Sequence, residues 1–134
     1  MNKQLKVLII NGSPRVGGNT SVALREMETV FNEQGVETEI VQIGAEPVRG
    51  CASCGYCYEH DRCVFDDVVN TLAPKFEAAD GLVVASPVYF ANANATLVAC
   101  LDRLFYSTGF DKTMKVGASV VCARRGGCSA TFDE

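Results

Sequence analysis

Apolar residues fall along this chain in short unbroken runs, separated by longer stretches in which they recur every three or four positions. Residues 7–10, 81–86 ("GLVVAS") and 115–123 ("KVGASVVCA") are such runs, and 36–43 reads as one more strand. Runs this continuous suit strands buried on both faces. Between them, Ala23, Met27, Val30 and Phe31 predict a helix over 20–34 that stops at Gly35. Another helix is expected to begin near Asp66 and Asp67, whose carboxylates suit a helix amino end, with Pro74 inside it. Leu97, Cys100, Leu101, Leu104 and Phe105 predict the buried face of a later helix. Alternating strands and helices define the expected fold class: α/β, a doubly wound parallel sheet with helices on both faces.

Composition narrows the function classes. The chain has 134 residues, 48% of them hydrophobic, which suits a single domain over 1–134 with a real core. Twelve basic against sixteen acidic residues leave a net charge of -4, with no basic footprint for nucleic acid and no polybasic stretch for a membrane surface. The amino-terminal apolar run is too short for a secretory signal and no segment approaches a membrane span, so a cytoplasmic location is expected. After "RRGGCSATFDE" the chain stops where a helix is starting, and the last strand of the sheet is expected to be missing from it.

In an open parallel sheet, the loops leaving the carboxyl ends of the strands line the ligand crevice. Three such loops are chemically unusual here. "NGSPRVGGNTS" offers backbone N–H groups and a helix amino end, the hydroxyls of Ser13, Thr20 and Ser21, and the charge of Arg15, all of which suit a phosphate. It has neither GxGxxG nor GxxxxGK[ST] spacing, so a dinucleotide site and a P-loop both lose support; a turn without a ligand is the plain alternative. "SPVYFANAN" carries Tyr89 and Phe90 where connections are ordinarily polar. They suit the faces of a flat ring, with Asn92 and Asn94 at its polar edge, or else simple packing on a helix or a second subunit. "ARRGGCS" sets Arg124 and Arg125 beside two glycines that let backbone approach a ligand closely; its plain reading is a solvated turn.

The densest chemistry lies in a cysteine-rich insertion at about 47–64. There "CASCGYCYEHDRC" spaces Cys51, Cys54, Cys57 and Cys63 as C-x2-C-x2-C-x5-C. Seven cysteines, an odd number, in a reducing compartment do not read as a disulfide framework. Three thiolates at this spacing wrap one corner of a cubane, and the fourth completes the shell of a [4Fe-4S] centre. Zinc is the competitor, since Cys54, Cys57, His60 and Cys63 also form a four-ligand set; metal-free thiols are the third reading. Cys100 and Cys122 read as small buried hydrophobes, and Cys128 shows little case for an activated thiol.

Taken in order, "KVLIINGSPRVGGNTS", "ADGLVVASPVYF", "LDRLF" and "ARRGG" resemble the flavodoxin-like NAD(P)H-dependent FMN reductases, and "CASCGYC" resembles their iron-sulfur flavoprotein branch. The resemblance covers essentially the whole chain. It implies a flavodoxin-like sheet binding FMN, with the phosphate on Ser13, Arg15, Asn19, Thr20 and Ser21. The isoalloxazine would lie against Pro87, Val88, Tyr89, Phe90 and Asn92, and Ala123, Arg124, Arg125, Gly126 and Gly127 would close its other side. Such a protein transfers electrons between NAD(P)H or a protein donor and a small-molecule or protein acceptor, through FMN and the cluster, with no side chain needed as general acid or base. Two alternatives stay open: a plain NAD(P)H-dependent FMN or quinone reductase whose cysteine loop is empty or holds zinc, and a non-enzymatic electron carrier. A homo-oligomer, dimer or tetramer, is expected to cover the cysteine insertion and the aromatic loop.

Overall fold

The computed structural model describes residues 3–134. The elements run β1 (Lys6–Asn11), α1 (Asn19–Glu33), β2 (Glu37–Gln42), α2 (Cys57–His60), α3 (Val68–Ala78), β3 (Gly81–Pro87), α4 (Ala95–Tyr106), β4 (Val116–Cys122) and α5 (Cys128–Phe132). The four strands pair in parallel in the order β2-β1-β3-β4, the flavodoxin-like order as far as these strands extend.

Side chains alternate across a strand, and β1 shows the result. Leu8 and Ile10 pack with Leu72 and Phe76 of α3 and with Leu97, Cys100 and Leu104 of α4, while Ile9 joins Leu24 of α1, Val83 and Ala85 in a second layer. The central strands β1 and β3 are thus buried on both faces, as their apolar runs predict. β4 is not: Val116 is 72% exposed and the next three residues are exposed as well. An apolar run marks a strand without saying that anything covers it. Phe105 also departs from its predicted place, being 48% exposed at the rim of the α4 face, where it meets Phe76 edge-on.

Helix boundaries follow local chemistry. Asp67 caps α3, its Oδ1 accepting from the Val69 N–H at 3.1 Å, and Asn94 caps α4 in the same way through the Leu97 N–H at 3.2 Å. Pro74 sits inside α3, which nevertheless continues to Ala78.

Candidate functional site

β1, β3 and β4 are neighbours, so the three unusual loops leave the same edge side by side. Local contacts hold them together. The Gly12 N–H donates to the Ala85 carbonyl at 2.7 Å, and the Val88 N–H to the Cys122 carbonyl at 2.9 Å. A β-carbon on Gly127, whose φ is +96°, would stand 2.9 Å from both Ala91 Cα and Val88 Cγ1; only glycine lets the third loop lie against the second.

The first loop is internally braced. Asn11 is buried and works both ways: its Oδ1 accepts from the Ser13 N–H at 3.0 Å, and its Nδ2 donates to Ser21 Oγ at 3.1 Å. Ser13 and Thr20 are buried, and Ser13 Oγ accepts from the Arg15 N–H. Arg15 and Asn19 are exposed, and α1 begins at Gly18 with no side chain capping it and no acidic residue in its first turn. Gln42 donates to the Ser13 carbonyl at 2.8 Å. A β-carbon on Gly44 would fall 2.2 Å from Gly12 O and Ser13 C, so the backbone leaving β2 rests directly on this turn.

The second loop folds into a tight two-residue hairpin, with Tyr89 and Asn92 exchanging backbone hydrogen bonds of 2.8 and 3.1 Å. Phe90 and Ala91 occupy its tip with φ of 52° and 63°, the left-handed pair of a type I′ turn made without glycine. Phe90 is fully exposed and Tyr89 47% exposed, while Pro87 and Val88 are half-buried. Asn94 is 5% exposed and its Oδ1 caps α4, so that oxygen is engaged within the fold. Asn92 Nδ2 donates to Glu134. In the third loop Arg124, Arg125 and Gly126 are exposed and Ala123 is half-buried.

The cysteine segment is built separately. Cys51, Cys54, Cys57 and Cys63 all line one cavity of about 300 Å³, walled also by Phe65, Arg103, Tyr106 and Ser107. None of the flavin-loop residues named above contributes to it. His60 does not line it; its ring stacks on Tyr56 at 3.9 Å and its Nδ1 lies 2.9 Å from the Tyr56 carbonyl. Cys122 and Cys128 are half-buried, so Cys122 is less enclosed than expected. Cys100 is buried beneath α4, and burial pushes its thiol pKa up to about 12.

One residue in that wall carries unusual weight. Arg103 is 1% exposed, and all five of its N–H groups find acceptors. Nη1 and Nη2 hold the Asp67 carboxylate at 2.7 and 2.9 Å; the remaining bonds reach Arg49 O at 3.2 Å, Phe65 O at 3.1 Å and Cys63 Sγ at 3.3 Å. Burial disfavours the guanidinium charge, but the Asp67 and Cys63 contacts outweigh it and its pKa is raised. Arg103 therefore pins both ends of the cysteine segment to α4. The sequence does carry its signal: a charged residue three positions after Cys100, on the apolar stripe of an amphipathic helix, needs a partner.

A cavity lined by four thiols, two of them exposed and two half-buried, stands apart from a turn rich in N–H and hydroxyl donors and an aromatic hairpin at one sheet edge; comparison with known proteins decides the family. The profile described as NADPH-dependent FMN reductase matches residues 5–134. The chain belongs to that family. With the family comes flavin-dependent oxidoreductase chemistry and FMN as its cofactor. An iron-sulfur flavoprotein of Methanosarcina thermophila is 41% identical over 132 residues, covering 96% of this chain and 69% of that protein. One from Methanocaldococcus jannaschii is 35% identical over 133 residues, covering 97% and 69%. Among solved structures, RosB with a bound riboflavin-phosphate intermediate superposes with a TM-score of 0.75 at 19% identity, over 96% of this chain and 56% of that one. A quinone oxidoreductase from Methanothermobacter marburgensis gives 0.66 at 17%, over 90% and 66%. These two share the flavodoxin-like fold, and this chain spans little more than half of the RosB chain. Among the described residues no helix is long and apolar enough to cross a membrane.

Proposed function

We propose that this chain is an FMN oxidoreductase of the iron-sulfur flavoprotein kind, in which Cys51, Cys54, Cys57 and Cys63 hold one [4Fe-4S] cluster. The observation that carries the reading is the single cavity those four cysteines share, with a buried arginine donating to one of the sulfurs. Among the described residues, no three His, Cys, Asp or Glu side chains converge closely enough to hold one metal ion. His60 lies outside the cavity, which counts against a zinc site completed by that imidazole.

FMN supplies hydride or single-electron chemistry when bound, and the cluster handles one electron at a time. The protein's part is binding and orientation. The uncapped start of α1, with Ser13, Arg15, Asn19, Thr20 and Ser21 around it, suits the flavin phosphate: free N–H groups and a cationic side chain meet an anion with no acidic residue nearby. Pro87, Val88, Tyr89, Phe90 and Asn92 would flank the ring on one side and Ala123, Arg124, Arg125, Gly126 and Gly127 on the other. The exposed hairpin tip and open third loop leave room for NAD(P)H, or for a protein donor, to approach. Electrons then pass to a small-molecule or protein acceptor, and a second copy of the chain would cover the aromatic tip and the cysteine segment.

An absorption spectrum of anaerobically purified protein, with iron, sulfide and zinc assayed on the same sample, tests this. Flavin bands with a broad visible shoulder that bleaches on reduction, and about four irons per chain, are expected. Flavin without iron, in protein never exposed to air, refutes the cluster.

A further inference from the structure

Ser107 stands one turn beyond Arg103 at the carboxyl end of α4, and both line the cysteine cavity. Ser107 is 3% exposed, and its hydroxyl is the one buried side-chain polar group without a hydrogen-bond partner among the described residues. A helical hydroxyl usually escapes that state by bonding back to the carbonyl four residues earlier. Thr108 next door does so, with Oγ1 to Leu104 O at 2.7 Å. At Ser107 only the backbone N–H reaches the Arg103 carbonyl, at 2.9 Å, and the hydroxyl does not join it. A buried hydroxyl without a partner is costly, and the cavity that Ser107 helps to line is the nearest place from which a partner could come.

We propose that Ser107 and Arg103 are the hydrogen-bond donors to the sulfur of the group held by Cys51, Cys54, Cys57 and Cys63, and that they set its reduction potential. This rests on the cluster reading given above. A cluster gains negative charge on reduction, and donors aimed at its sulfur stabilise the reduced form more than the oxidised one. Ser107 and Arg103 therefore raise the potential. They are positioning residues: neither is a ligand, and Arg103 acts through Cys63.

The test is a redox titration of anaerobically purified protein, followed by electron paramagnetic resonance, for wild type, Ser107→Ala, Ser107→Thr and Arg103→Lys. Ser107→Ala and Arg103→Lys are each expected to lower the reduced-to-oxidised ratio at fixed poise about tenfold, or about 59 mV for a one-electron couple. Ser107→Thr keeps a hydroxyl and should keep the wild-type potential. Urea unfolding of metal-free protein is the second readout. There Ser107→Ala should be as stable as wild type or more so, because it deletes a group with no partner. Loss of iron from Ser107→Ala, with retention in Ser107→Thr, supports the assignment, since the two differ in the hydroxyl. A wild-type potential in Ser107→Ala, or loss of iron from both serine variants, overturns it. A wild-type protein that holds flavin but no iron overturns the cluster reading and this inference together, and the iron assay tells that outcome from the others.

Discussion

Replacing Asp67 by asparagine isolates the charge of the Arg103 clamp. The side chain keeps its shape, and Oδ1 remains to cap α3, but the second oxygen becomes an NH2 facing Nη1 of Arg103. The arginine side chain is fully buried and Asp67 is 23% exposed. Removing one partner of a buried pair costs about 3–5 kcal/mol; because water reaches Asp67 in part, the lower end applies, about 3 kcal/mol. With a urea slope of about 1.5 kcal/mol/M for a chain of this size, the midpoint should fall by about 2 M. Asp66 provides the control. Its contact with Arg62 is of similar length, 2.8 Å, but the side chains are 53% and 81% exposed, so Asp66→Asn should cost less than about 1 kcal/mol. The assay is equilibrium urea unfolding at pH 7, in low and in moderate salt. Equal losses for the two variants, or an Asp67→Asn loss that salt abolishes, would refute the reasoning, since only an exposed pair is screened.

Two further outcomes follow from the packing. Gly44→Ala places a methyl 2.2 Å from the backbone of Gly12 and Ser13. It should cost about 1–3 kcal/mol and weaken FMN binding at least tenfold, read by thermal unfolding and flavin fluorescence titration; unchanged FMN affinity would show that this turn does not hold the phosphate. For Cys100, the folded pKa is raised from 9.0 to about 12 by burial, so the folded state keeps a proton that the unfolded chain releases above about pH 9. Its stability contribution is thus intact below pH 9 and falls as pH rises toward 12, by about 1.4 kcal/mol per unit. Cys100→Ala should flatten that slope in urea unfolding between pH 8.5 and 10.5, and in native metal-free protein Cys100 should be the last thiol alkylated.

The fold was largely legible because its signals are local. The runs at 7–10 and 81–86 announce strands buried on both faces, and the cap chemistry of Asp67 announces α3. What escaped depends on partners far apart in sequence. Nothing near Val116 says that its strand lies at an exposed edge, and Phe105 satisfies a helical period whose outer rim reaches solvent. The unusual loop around Asn94 points to a ligand group, whereas its amide oxygen is engaged by the first turn of α4. Of Asp66 and Asp67, whose carboxylates suit a helix start, Asp67 is the cap; its larger role needs Arg103, 36 residues on. The four cysteines were legible as a set from their spacing alone, whereas the cavity that unites them is closed by α4.

That separation has a consequence during synthesis. Cys63 leaves the ribosome 40 residues before Arg103, the side chain that fastens its segment. At about 5–20 residues per second, the four thiols spend roughly 2–8 s without the arginine that fastens their segment. In that interval they are open to oxidants and to any thiophilic ion, so on the cluster reading proposed above correct loading would depend on what the nascent chain meets before α4 emerges.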